Sequence, residues 1–553
     1  MSQKSQGSST FAGNNVPKLT RILYPWSGIF RDACYALIGT FLMQYAISSG
    51  VLSSNPSEFQ AQYGVITIAM MIALLWDGIN DPIMGFILEK CHFKAGKFKP
   101  WIEIGAIGNA VAVILMFLIP MLVGPGWGWG YVAFMIAMYI VWDTCFTMND
   151  IGYWSMLPAL TNDPQQRAKL TTYTAIAASI GTFIMNIAMF VLPGIGLGST
   201  IQVYAITGIG IALLFLASQT LIFFLCKEKT RDAEQEEVSE KSSILDLFRV
   251  VAKNKELLFA AIGMFLYYFA SFILTGIGQN YFYIMYGYGG KLGGMVATVI
   301  AAFYVLGTVA AQALYPTLAK KLSKKKILTI MTAIIIATYV AFFFIAFPVF
   351  GGAPVANSVP DAGNMFWVFT GTMPLLYVLC FIFFGASGIF YLACLVMFQD
   401  AIDYGEWKNG ERKESICFAW RPLDVKLASG LNRGLQFAVY GITGTVLAIN
   451  AISNWEGISN ALQNAAQSHA EKTAIEAVVA SNIGVATTSI ESWRLTLFGA
   501  IVIGVIVAAF IASYCLLRFG YSLDEKKVEG IVKELNEKKG VAEPSQSEET
   551  VAA

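Results

Sequence analysis

Residues 62–88 read QYGVITIAMMIALLWDGINDPIMGFIL. The run is apolar and longer than the about 20 residues needed to cross a bilayer, yet it carries two carboxylates, Asp77 and Asp81. Comparable runs recur near 25–50, 100–123, 130–158, 170–193, 200–226, 257–287, 293–319, 326–350, 366–398, 418–451 and 494–518. Only helices or closed barrels satisfy every backbone group in lipid, and these runs lack the short alternating segments of barrel strands. The pattern predicts an all-α membrane protein of twelve transmembrane helices. Composition agrees, since only 13% of the 553 residues are charged, against roughly 25% in soluble proteins. A net charge of +1 gives no sign of a nucleic-acid partner. The cysteines at 34, 91, 145, 226, 380, 394, 417 and 515 form no CxxC pair and read as small hydrophobes.

Lys and Arg outside the runs set the orientation. With the N-terminus inside, they concentrate in cytoplasmic segments, and only Lys291, Lys472 and Arg494 fall in external loops. Both termini are therefore expected in the cytoplasm of a multi-pass cell-membrane protein. Residues 1–18 contain no apolar run, so a disordered tail is expected and no cleavable signal peptide. The charged stretch 227–255, with Arg231, Asp232, Glu234, Glu236 and Glu237, reads as a solvated cytoplasmic linker. It divides a six-helix bundle at 19–226 from a second at 256–520, followed by a cytoplasmic tail at 521–553. Two such halves suggest the major facilitator architecture, with a solute site between them at mid-membrane. The external segment 452–493 is unusually long, and its Ala- and Glu-containing stretch reads as a surface helix.

Charges inside the runs are Arg31, Asp32, Asp77, Asp81, Asp143, Asp150, Arg421, Asp424, Lys426 and Arg433. Each is unfavourable by roughly 2.5–3.5 kcal/mol near a helix centre, so they must face a wet cavity, one another or the membrane surface. Arg433 and Asp143 are assigned to helix ends. Asp77 and Asp81, at i,i+4, share a helix face. Two close carboxylates repel unless a cation or a proton sits between them, which suits a coupling site. The other reading makes Asp81 a cap for a helix restarting at Pro82. Asp150 and Trp154 have the same spacing, and a carboxylate beside an indole face suits a sugar, with polar edges and an apolar C–H face. Alternatively, that pair is an interfacial Trp with a snorkelling Asp. Arg31 and Asp32 either face the cavity or neutralise each other. Enzyme chemistry is not indicated: His92 and His469 are the two histidines, and HExxH, GxSxG and Walker patterns are missing.

Several motifs carry a family resemblance. Residues 76–85 (WDGINDPIMG), followed by 96–101 (GKFKPW), resemble a helix and loop signature of the glycoside–pentoside–hexuronide:cation symporters, a branch of the major facilitator superfamily. Residues 150–158 (DIGYWSMLP), 403–408 (DYGEWK) and 426–430 (KLASG) are similar to further signatures of that family. The resemblance implies cation binding at Asp77 and Asp81, which would be the metal ligands for Na⁺ or Li⁺, with Asn80 and Thr147 nearby and Lys426 close to the site. It implies sugar binding at Asp32, Asp150 and Trp154, with Arg31 adjacent. Two departures stand out. Thr174 occupies the position where the family carries an arginine, and Arg421-Pro422 replaces a Gln-Thr pair. Arg421 either recognises a carboxylate on an acidic sugar or pairs with Asp424. The expectation is a symporter moving a sugar, glycoside or hexuronide with Na⁺, H⁺ or Li⁺ by alternating access, without cofactor or covalent chemistry. The alternatives are transport of another organic solute, such as a lipid, and uncoupled sugar facilitation.

Overall fold

The computed structural model describes residues 16–90, 93, 95–161, 164–194, 199–228, 251–278, 281, 293–347, 369, 371–410, 420–466, 468–488 and 491–538. Most of the expected linker at 227–255, residues 1–15 and 539–553 of the expected tails, and the external Lys291 lie outside the described residues. Among those residues the chain is helical, and the one β pairing is an isolated bridge between Phe93 and Gly96. The first helices are α1 (Lys18–Ser48), α2 (Pro56–Lys90), α3 (Lys99–Val123), α4 (Trp129–Leu160), α5 (Pro164–Val191) and α6 (Thr200–Leu225). They are followed by α7 (Lys255–Ile273), α8 (Gly293–Lys321), α9 (Lys324–Ala346), α10 (Met373–Asn409) and α11 (Trp420–Thr443). The last are α12 (Thr445–Ala465), α13 (His469–Thr488), α14 (Ser492–Cys515) and α15 (Glu525–Lys538).

Among the described residues, ten helices are long and apolar enough to cross a membrane, or eleven spans if one bent pair counts as one. The sequence reading expected twelve. The remaining helix is α1, which is 31 residues long but falls outside that set; Lys18, Arg21, Arg31 and Asp32 interrupt its apolar sequence. Large apolar side chains point outward, with Ile206 68% and Phe224 72% exposed. In water such surfaces would drive association, whereas lipid solvates them.

The expected single span at 418–451 is broken. Its two parts, Leu423–Thr443 and Thr445–Ile452, meet at 97°. The elbow is Gly444, whose φ of +68° lies in the left-handed region that glycine enters without penalty. Beyond it, the long segment 452–493 holds the end of α12 and nearly all of α13, a packed helical pair rather than one surface helix. The Asn450 and Asn454 side-chain amides donate to the Ser53 and Ser54 carbonyls in the α1–α2 connection, at 3.3 and 3.2 Å.

Packing explains the remaining order. α1 lies against α5 and α6, and α3 against α4 and α6; α10 packs on α8, α9 and α7, which in turn meets α11 and α14. The early and late helices join along α2–α11 and α5–α8. Gly181 lets α5 approach α1 so closely that a Cβ there would collide with the Ile29 carbonyl. Tyr63 of α2 stacks on Tyr440 of α11 with centroids 5.9 Å apart. The first turn of a helix leaves backbone N–H groups without partners. For α3 the Glu228 carboxylate supplies them, accepting from the backbone N–H of Lys97, Phe98 and Lys99 at 2.7, 3.1 and 2.7 Å.

Candidate functional site

A cavity of about 1090 Å³ opens where α1, α2, α4, α5, α8 and α11 converge. It exceeds the upper end of ordinary small-molecule sites, roughly 300–1,000 Å³. Helical periodicity delivers the polar groups. Asp143, Thr147, Asp150 and Trp154 follow one another at i, i+4, i+7 and i+11 on α4, so one stripe of that helix faces inward. Asp77 and Asp81 do the same on α2, as do Lys426 and Arg433 on α11.

Two charge clusters occupy the cavity wall. In the first, Arg31 is 2% exposed and lies between Asp32 and Asp150. Its Nε and NH2 donate to Asp32 Oδ2 at 3.0 and 2.8 Å, and its NH1 lies 2.9 Å from Asp150 Oδ1. The guanidinium also sits 4.3 Å from the Tyr153 ring centroid and 5.1 Å from that of Trp154. An isolated buried guanidinium would be costly, and two carboxylates with two aromatic faces offset that. Of the two alternatives for Arg31 and Asp32, both hold together: they neutralise each other and they line the cavity. The carboxylate side chains stay 19% and 38% exposed, so they present acceptor oxygens to the cavity.

In the second cluster the Lys426 ammonium lies between Asp77 and Asp81. It is 2.8 Å from Asp77 Oδ2 and forms a short ion pair with Asp81. Thr147 Oγ1 donates to the other Asp77 oxygen at 3.1 Å. The lysine thus occupies the place between paired carboxylates where sequence spacing expected a cation. Among the described residues no three His, Cys, Asp or Glu side chains gather as a metal site. A cation displacing Lys426 would find oxygen ligands on Asp77, Asp81 and Thr147.

Two candidates stand apart. Asn80 is half-buried and does not line the cavity. Arg421 is also outside the lining, and its NH2 donates to the Tyr391 hydroxyl at 2.7 Å. Among the described residues it forms no ion pair with Asp424, which is 1% exposed. Thr174 is fully buried and returns its hydroxyl to the Leu170 carbonyl of its own helix at 2.8 Å. Conversely, Asp143 and Arg433 are not helix-end charges. Both lie within their helices and line the cavity. Their seven-residue spacing from Asp150 and Lys426 was the signal that could have found them.

Among the described residues, a helical bundle around a charge-lined chamber defines a multi-pass membrane protein of the transporter class. The chain belongs to the family described as MFS/sugar transport protein, which matches residues 57–525. That family comprises transport proteins rather than enzymes, and the match bears out the resemblance to glycoside–pentoside–hexuronide:cation symporters. Among curated relatives, the chain is 27% identical to a lactose permease of Leuconostoc lactis, over 79% of this chain and 65% of that protein. It is 24% identical to an isoprimeverose transporter of Lactiplantibacillus pentosus, over 82% of this chain and 87% of the relative. A glucuronide carrier protein homolog of Escherichia coli is 22% identical over 68% of this chain and 75% of its own. In fold it is similar to nucleoside transporter NupG, with a TM-score of 0.51 at 13% identity over 85% of this chain and 98% of that one. The chain spans 65% of the length of the first of these relatives and 64% of a raffinose carrier protein from Pediococcus pentosaceus.

Proposed function

We propose that this protein is a cation-coupled symporter of a sugar or glycoside, working by alternating access. The observation that carries the reading is the placement of both clusters on one cavity. Asp32, Asp150 and Trp154 offer charged acceptors and an indole for a pyranose. Asp77 and Asp81, held by Lys426, offer a cation site about one turn of α4 away, where Thr147, three residues before Asp150, donates to Asp77. Cation binding displaces the ammonium and stabilises the state that binds sugar, and the sugar raises cation affinity by the same factor. The relatives named for lactose, raffinose and isoprimeverose support a sugar as the solute.

One observation favours a second reading, uncoupled facilitation. Lys426 already places a positive charge between the two carboxylates and pairs with both, which relieves their repulsion without an added ion. A single experiment separates the two. Labelled glycosides are offered to vesicles containing the purified protein, with and without an inward Na⁺ or H⁺ gradient. Accumulation driven by one gradient and lost in Asp77→Asn or Asp81→Asn supports symport. Equilibration indifferent to both gradients refutes coupling and leaves the facilitator. Failure to move any glycoside refutes the sugar reading.

A further inference from the structure

The cavity wall carries five carboxylates and three bases. Arg31 is taken by Asp32 and Asp150, and Lys426 by Asp77 and Asp81. The third base is Arg433, and among the described residues no carboxylate pairs with it. Its recorded hydrogen bond runs from NH2 to the Gly39 carbonyl of α1, at 2.9 Å. That bond engages one of the five N–H donors of a guanidinium and supplies no counter-charge. An arginine at this depth without an anion is energetically exposed, so it is poised to receive one.

Its position says where that anion would lie. Arg433 is two helical turns beyond Lys426 on α11, about 10 Å further along the axis. It therefore sits clear of both acidic clusters. Asp143, the fifth carboxylate of the lining, belongs to neither cluster and forms no ion pair with Arg433 among the described residues, so Arg433 is the base of the wall left open to a solute anion. Gln436, almost one turn further along, also lines this part of the wall. Arg421, for which the sequence left carboxylate recognition as one of two readings, is outside the lining and engaged by Tyr391.

Resting on the sugar-transport reading above, we propose that Arg433 is a specificity-determining residue that binds the carboxylate of an acidic sugar, making the preferred solute a uronide rather than a neutral glycoside. The planar fork of the guanidinium accepts a carboxylate through two parallel bonds, which a lysine cannot reproduce. Binding exchanges the neutral Gly39 carbonyl for a charged partner.

The test is equilibrium binding to the purified full chain, using matched methyl glycosides that differ only at C6: glucoside against glucuronide, and galactoside against galacturonide. The wild type is expected to favour one uronide over its neutral partner by at least tenfold. Arg433→Gln lowers that ratio at least tenfold, and Arg433→Lys, the gentler change, gives an intermediate ratio. A wild type that binds the neutral partner equally or better overturns the inference while leaving sugar transport standing. So does a ratio in Arg433→Gln within threefold of wild type. If Arg433→Gln does not fold, an Arg433→Lys ratio equal to wild type overturns it. Absence of binding by all four glycosides overturns the sugar reading and the inference with it.

Discussion

Asp150→Asn is the most discriminating change at the solute-facing end. The substitution keeps the side chain's shape and removes its charge. Two effects follow. A sugar hydroxyl bonded to a carboxylate contributes about 1.5–3 kcal/mol, against about 0.5–1.5 kcal/mol for a neutral acceptor. The exchange is therefore expected to weaken solute binding by about 1–1.5 kcal/mol, or roughly 5–13-fold. The second effect is on folding. Arg31 keeps its two bonds to Asp32, and Asp150, at 38% exposure, is partly screened by water. The stability loss is then about 1 kcal/mol or less. Asp32→Asn behaves differently, because Asp32 is 19% exposed and receives both the Nε and NH2 bonds. Its loss leaves the buried guanidinium held by one acid, with a destabilisation of about 3 kcal/mol. Glycoside titration of the purified protein, paired with thermal unfolding in detergent, reads both quantities. Affinity within twofold of wild type in Asp150→Asn, or a larger stability loss there than in Asp32→Asn, would refute the assignment of Arg31 as anchor and Asp150 as acceptor.

Three further changes probe other parts. Lys426→Ala removes the ammonium from between Asp77 and Asp81, leaving carboxylates that repel unless a cation enters. Its thermal midpoint should rise with added Na⁺ more steeply than that of wild type, and a flat Na⁺ titration would argue against a metal-ion site there. Glu228→Ala strips three backbone N–H groups at the start of α3 of their acceptor. A loss of about 0.5–2 kcal/mol is expected on unfolding, and an unchanged midpoint would mean water replaces the cap. Gly444→Ala forces a Cβ into a left-handed residue and against the Arg494 guanidinium, at about 1–2 kcal/mol, again read by thermal unfolding.

The fold was legible because lipid imposes a simple rule, and runs such as 62–88 obey it. The break at Gly444 was not legible: apolar residues flank it on both sides, so the two helices fuse into one run when only hydropathy is read. Within the site, phase along a helix decided what could be found. At about 100° per residue, Arg433 falls about 20° from Lys426, on the same face, whereas Arg421 falls about 140° away. Offering Arg421 as a carboxylate binder, one of its two readings, overlooked that angle, and giving Arg433 to a helix end overlooked it again. Asp143 and Asp150 share a face by the same arithmetic. Asn80, about 100° from Asp81, turns off the cavity wall. The meeting of Lys426 with Asp77 and Asp81 joins residues about 350 positions apart; spacing carries no such information, and only the resemblance between motifs placed them near one another.

The elbow at Gly444 has a kinetic consequence. It folds α12 back so that Asn450 and Asn454, late in the sequence, are fastened to Ser53 and Ser54, early in it. In the alternating-access cycle proposed above, opening the chamber at this end would require those two amide–carbonyl bonds to be undone. At about 0.5–1.5 kcal/mol each, together about 1–3 kcal/mol, they favour the fastened arrangement by roughly 5–150-fold, few enough to be released thermally. The helical pair is thus a clasp whose strength sets how often the carrier faces each way, independently of what the chamber holds.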